Sequence, residues 1–335
     1  MRRIMADPES RESGAAGILV ALMMLVMIGA GALAVDAGQI YVERAQLQNG
    51  ADAAALAGVD LCAASGCSQA SADALAAALA NSNSNDAKST VQSVDLSVAG
   101  QISVTTSTKD GTTNAGFLSK MFASVLNAPP ATVGATATAK WLYVTKGISV
   151  LPLTFASCEF KDDGMPHKVF TQGGAQDCNG RNPSNQIIPG GFAWLDPDGN
   201  TGCNVTAEVG QWSPTSAGEG VPNGCIDLFN PSINPSLAGS TVALPVYKYT
   251  CNGMPAAQFG SCNGSSVQYY IEKWAGFKIQ AWNLTGQAKY DPTSIFRGNE
   301  KGLYGTFMGY SADPNLFTGG STTPNGNVIV IGLIK

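Results

Sequence analysis

AAGILVALMMLVMIGAGALAV, residues 15–35, runs without a proline into DAGQIYVERAQLQNGADAAALAGVD, residues 36–60. The first stretch carries no charge, and at about 1.5 Å rise per residue it matches the roughly 30 Å hydrocarbon core of a bilayer. This predicts one transmembrane helix over 15–35. The second stretch is rich in Ala, Leu, Gln, Glu and Arg, so helix should continue beyond the membrane. Ile40, Leu47 and Ala54 recur at heptad spacing, and Ala51, Ala55 and Gly58 allow close approach of another element. Such a stripe packs either on its own domain or on partner helices, a second copy of the chain included.

Arg2, Arg3 and Arg11 precede the apolar run, whereas Arg44 is the one basic residue between it and Asp60. The positive-inside rule then leaves residues 1–14 as a cytoplasmic tail and exports everything after the helix. The expected location is the cytoplasmic membrane, single-pass, N-terminus inside and body outside. Two rival readings involve cleavage. Ala32-Leu33-Ala34 resembles a signal-peptide site, although the run is longer than an ordinary signal core. Cutting at Gly14 in the manner of a prepilin would want a Glu at position 19, where Leu19 stands.

The composition narrows the functional classes. Of 335 residues only 13% are charged, the net charge is −5, and 39 glycines with 17 prolines stay below the share of roughly a quarter that marks low-complexity chains. A folded, exported, β-rich body fits these values. Nucleic acid is excluded as a partner for want of clustered Lys and Arg. A single histidine, His167, rules out His-rich zinc sites and HExxH chemistry.

Asp36, Gly38, Tyr41, Arg44, Leu47, Gln48, Asn49, Ala51, Asp52, Ala55 and Leu56 follow the apolar run in a D-x-G-x-x-Y … L-Q-N-x-A-D-A-A-A-L-A pattern. This arrangement, over roughly residues 11–60, resembles the N-terminal signature of TadG-like proteins, membrane-anchored components of the Flp (tight adherence, Tad) pilus assembly machinery. The resemblance implies the membrane and other pilus assembly proteins as partners. Some larger members of that family carry a von Willebrand A-type domain with an Asp-x-Ser-x-Ser metal loop. Asp95-Leu96-Ser97-Val98-Ala99 lacks the second Ser, so no metal site is expected here.

Beyond the signature the expected class is α+β, with residues 36–145 forming the outer helix and a small α+β domain and residues 146–335 a mostly antiparallel β domain with disulfides. Residues 72–80 read as a helix ending in the Asn/Ser run 81–85. Val94, Leu96 and Val98 and then Ile102, Val104 and Thr106 alternate around Ala99-Gly100 as a hairpin would, and Thr132–Val144 alternates again. Phe117, Leu118, Met121, Phe122, Val125 and Leu126 have the apolar spacing of a short helix over 116–127, stopped by Pro129-Pro130. Further strands are expected at 148–155, 191–195, 241–249, 267–273, 276–284 and 327–334, the last buried and closing the sheet.

Cys62, Cys67, Cys158, Cys178, Cys203, Cys225, Cys251 and Cys262 all lie beyond the apolar run, an even number that favours disulfides in an oxidising compartment. Spacing alone does not fix connectivity. Sequential pairing is the expectation, because each bond closes a local loop. No catalytic residue and no cofactor is expected. His167 reads as part of a solvated turn, and Asp196-Pro197-Asp198-Gly199-Asn200 as a β-turn rather than a calcium loop, since Thr201 stands where such a loop needs Gly. Trp194, Trp212, Trp274 and Trp282 read as packing rather than a glycan platform. The expected function is therefore that of a non-enzymatic, membrane-anchored component of a Flp/Tad-type pilus assembly or adhesion system. A pilin-like filament subunit and an anchored glycan-binding module or hydrolase remain as alternatives.

Overall fold

The computed structural model describes residues 13–334 except 86, 110–115, 117, 119, 201, 217–219, 256–261, 264, 265 and 287. Helix α1 (Ser13–Ser65) is a single helix of 53 residues, unbroken from the apolar run through the signature. No proline interrupts it, and it ends where Gly66 takes a positive φ and its N–H bonds the Cys62 carbonyl at 3.0 Å. The chain then divides into two compact units. One holds the residues up to Gly58, Cys67–Ala139 and the chain end from Leu333; the other holds Val59–Gly66 and Lys140–Gly332.

In the first unit, helix α2 (Gln69–Ser82) begins at a capping box in which the Ser68 hydroxyl accepts the Ser71 N–H and the Ser71 hydroxyl accepts the Ser68 N–H. Ala72, Ala76 and Ala80, four residues apart, form its buried face. Strands β1 (Ser89–Asp95) and β2 (Gln101–Thr108) form an antiparallel hairpin as expected, but the first strand lies earlier than 94–98: Leu96 and Val98 fall in the connection, where Gly100 has φ 77°. Asp95 accepts the Ser97 N–H at 2.8 Å, and this bond holds its carboxyl below the usual range. A long strand, β3 (Gly134–Ser149), begins in this unit, where Leu47, Val133 and Ala135 form a small core flanked by Ile40.

The second unit is built from two sheets. One contains the rest of β3 together with β7 (Val205–Glu208), β13 (Tyr310–Ser311), β14 (Phe317–Ser321) and β15 (Val328–Ile334). The other has the order β5-β12-β10-β9-β4-β6 with β8 and β11 also on β10. Its strands are β4 (Leu153–Ala156), β5 (Pro166–Phe170), β6 (Phe192–Trp194), β8 (Trp212–Pro214), β9 (Thr241–Thr250), β10 (Gln268–Asn283), β11 (Lys289–Tyr290) and β12 (Gly302–Phe307). This second sheet is apolar on both faces. Leu153, Phe155, Leu244, Phe277, Trp282 and Phe307 belong to one core, while Ala156, Tyr247, Ile271 and Trp274 join Val144, Val205, Phe317 and Val328 in another. Burial on both faces explains the continuous apolar run of β9 from Val242 to Tyr247. Pairing is mostly antiparallel, while β4 with β9 and β13 with β15 run parallel.

Cys158–Cys178, Cys203–Cys225 and Cys251–Cys262 are bonded as sequential pairing predicts. Cys62 and Cys67 are disulfide-bonded as well, and no described cysteine is free. Several local expectations need correction. The strand expected over 148–155 is the end of β3 and most of β4, separated where Leu151 N–H bonds the Ser149 hydroxyl and Pro152 offers no N–H. The two strands expected over 267–273 and 276–284 are one, β10. Strand β15 is only partly buried: Val328 and Ile329 are enclosed, whereas Leu333 and Ile334 are exposed. The helix expected over 116–127 is reduced to one 3-10 turn at Ala123–Leu126. Phe117 and the Leu126 side chain lie outside the described residues.

Candidate functional site

None of residues 16–35 is buried, and Leu25, Val26 and Ile28 are each about 70% exposed (72%, 68% and 73%). A surface of that kind in water would cost far more than scattered apolar residues do. Within the first unit, the signature beyond it separates into two faces. Leu47, Ala51, Ala54 and Ala55 are at most 2% exposed. Glycines allow the close packing there: a Cβ on Gly50 would meet the Ala80 backbone at 3.1 Å, and one on Gly58 would meet Ile102 at 3.0 Å. The small-residue stripe thus packs on its own unit. Gly38, Tyr41, Arg44 and Asn49 point outward.

Hydrogen bonds within the helix and from it to the rest of the first unit fix this segment. Gln48 Nε2 donates to Asp52 Oδ1 at 2.8 Å, and the Leu47 carbonyl accepts the Thr106 hydroxyl at 3.0 Å. Gln46 Oε1 accepts the Asn85 N–H at 3.0 Å. Leu56 is half-buried.

Asp36, the first residue after the apolar run, is 5% exposed. Its Oδ1 accepts the Phe122 N–H at 3.0 Å and its Oδ2 the Ala123 N–H at 2.6 Å, while Gln39 Oε1 accepts the Met121 N–H at 3.4 Å. Two N–H groups at the head of the 3-10 turn, which would otherwise lack partners, are satisfied by one carboxylate. This explains the Asp of the signature, a role that sequence spacing alone did not suggest. Met121, Phe122 and Val125, expected as the apolar face of a helix, are instead exposed.

The remaining sequence candidates fall elsewhere. His167 lies on β5 rather than in a turn, and its Nε2 is 2.8 Å from Asp163 Oδ1; that hydrogen bond is the main cause of a lowered Asp163 carboxyl. Asp198 accepts the Thr206 hydroxyl at 2.7 Å in a turn where Gly199 has φ 70°. Trp194, Trp274 and Trp282 are core residues. Trp212 differs: with Tyr270 and Tyr249 it forms a rung of directly paired residues across β8, β10 and β9. Its ring is 5.3 Å from that of Tyr270, which stacks on Tyr249 at 5.0 Å, and all three are half-exposed. The two tyrosines were not singled out in the sequence, because the strand alternation around them gives no sign of exposure.

An exposed apolar helix continuing into the packed stripe of a small α+β unit defines a chain headed by one helix long and apolar enough to cross a membrane. Residues 14–65, nearly the whole of α1, match the Tad family model, described as Flp pilus-assembly TadE/G-like. Over those residues the chain is similar to that family, and the match supports involvement in a Tad pilus system. No curated protein and no solved structure matches the chain.

Proposed function

We propose that this chain is a non-enzymatic, single-pass component of a Flp/Tad-type pilus assembly or adhesion system, anchored in the cytoplasmic membrane by residues 15–35 with the residues after the span outside. One observation carries the reading: the TadE/G-like segment coincides with a single helix whose first part is apolar and exposed and whose second part is packed. Orientation is supported by Arg2, Arg3 and Arg11 ahead of the span, and export by the disulfides of the body. Partners on this reading are the membrane and other pilus assembly proteins. The outward face of α1 carrying Tyr41 and Arg44 is available to them. Deleting the gene should abolish Flp pili and surface attachment, with rescue by the full chain but not by one lacking residues 15–35. Unchanged pili and attachment in the deletion strain would refute the proposal.

The aromatic rung of Trp212, Tyr270 and Tyr249 favours a second reading, an anchored glycan-binding module, because flat amphipathic rings stack on sugar faces. Binding of the purified chain to peptidoglycan or host glycans, lost in Tyr270→Ala, would support it. Absence of binding would remove it.

A further inference from the structure

Outside α1 and the chain end, the large apolar side chains that the first unit leaves exposed are Val98, Met121, Phe122 and Val125, among the described residues. Three of these four stand on one short loop, and Val125 is 79% exposed. The loop is fixed at one level of α1. Asp36 holds the Phe122 and Ala123 N–H groups, and Gln39 holds that of Met121, all within the first turn after Val35. At about 1.5 Å per residue that turn lies some 5 Å from the end of the apolar run, at the depth of lipid headgroups. Tyr41, 76% exposed, stands a little farther along the same helix, where aromatic residues favour the membrane–water boundary. Lys120 directly precedes the loop, suitably placed for lipid phosphates.

We infer that residues 121–125 form a second membrane contact, in which Met121, Phe122 and Val125 enter the headgroup and acyl boundary beside the span. The occupant of this apolar surface is lipid, because the loop is bonded to α1 where the exposed apolar run ends. Contact at two points fixes the tilt and rotation of the first unit on the bilayer, which a lone helix leaves free. The inference rests on reading residues 15–35 as a membrane span.

The full chain, reconstituted in vesicles of phosphatidylethanolamine and phosphatidylglycerol with brominated acyl chains, tests it. Val125→Trp reports the loop. Val98→Trp is the control, since the hairpin it caps packs near Gly58 through Ile102, about 30 Å farther along α1. After subtraction of the five native tryptophans, emission from position 125 should lose more than about half its intensity, and that from position 98 should be unaffected. Equal quenching at both positions would overturn the inference, and so would absence of quenching at position 125, the result expected if a second copy or another protein covers the loop. Hydrogen exchange at residues 121–128 supplies a second readout: vesicles should slow it in the unchanged chain and not in the Phe122→Ser, Val125→Ser variant. No slowing in the unchanged chain would also overturn it. Carbonate extraction of the same vesicles separates the two claims. Release of the chain would defeat the membrane-span reading, whereas retention without quenching would defeat the loop contact alone.

Discussion

The carboxylate of Asp36 accepts the backbone N–H of Ala123 at 2.6 Å, which ties the end of the apolar run to a loop 87 residues away in sequence. With the Phe122 N–H on its other oxygen, this side chain is part of the first unit's architecture. Asp36→Ala leaves two amide groups without their acceptor. It should cost about 1–3 kcal/mol, measured as a lower unfolding midpoint of the full chain in detergent, and Asn at the same position should cost less. An unchanged midpoint would show that the bonds are replaced by water at no loss.

Close packing of α1 on α2 depends on Gly50. A larger side chain there drives against the Ala80 backbone, which has no flexible end to give way. Gly50→Leu should destabilise the first unit by about 1–3 kcal/mol, the usual cost of overpacking, and limited proteolysis should then cut within α2. Resistance equal to that of the unchanged chain would contradict the packing.

In the second unit Gln172 bridges two tyrosines. Its Nε2 donates to the Tyr247 hydroxyl at 2.9 Å and its Oε1 accepts the Tyr269 hydroxyl at 3.0 Å, while the Tyr247 hydroxyl donates to the Pro189 carbonyl at 2.7 Å. Burial pushes both phenols above their ordinary value. The folded state therefore holds them protonated while the unfolded chain ionises near pH 10. Their contribution is whole below about pH 10 and is lost as the pH rises toward the folded values. Tyr247→Phe should cost about 1–3 kcal/mol at neutral pH and flatten the alkaline fall in stability. An alkaline profile identical to that of the unchanged chain would contradict this.

Cys203–Cys225 closes a 22-residue separation, and Cys225 is fully enclosed in a core that includes Phe229 and Trp282. Replacing both cysteines by Ala should lower the stability of the second unit by about 2–4 kcal/mol, seen in the denaturant midpoint. A midpoint shift below about 0.5 kcal/mol would mean that the apolar core holds that loop without the bond.

What could be read from the sequence was local and periodic. The apolar run, the unbroken helix after it, the β1–β2 hairpin and the sequential disulfides all carry signals within a few tens of residues. Misreadings arose where a residue answers to a distant neighbour. The break expected between 273 and 276 does not occur, since β10 runs through it; at Gly276 the space a Cβ would fill is taken by the Met308 carbonyl and Tyr310. Met121, Phe122 and Val125 have helical spacing, but Asp36 draws the loop into a single turn and leaves them outside. Short strands such as β11 and β13, two residues each, are defined by their pairing and carry no period of their own.

Intact mass and N-terminal sequencing of the protein extracted from its native membrane fraction test the central claim most directly. A permanent anchor predicts a chain that retains residues 15–35 together with the residues ahead of them. A start at Val35 would mean a freely released body, and a start at Ala15 a processed pilin; either would contradict the account.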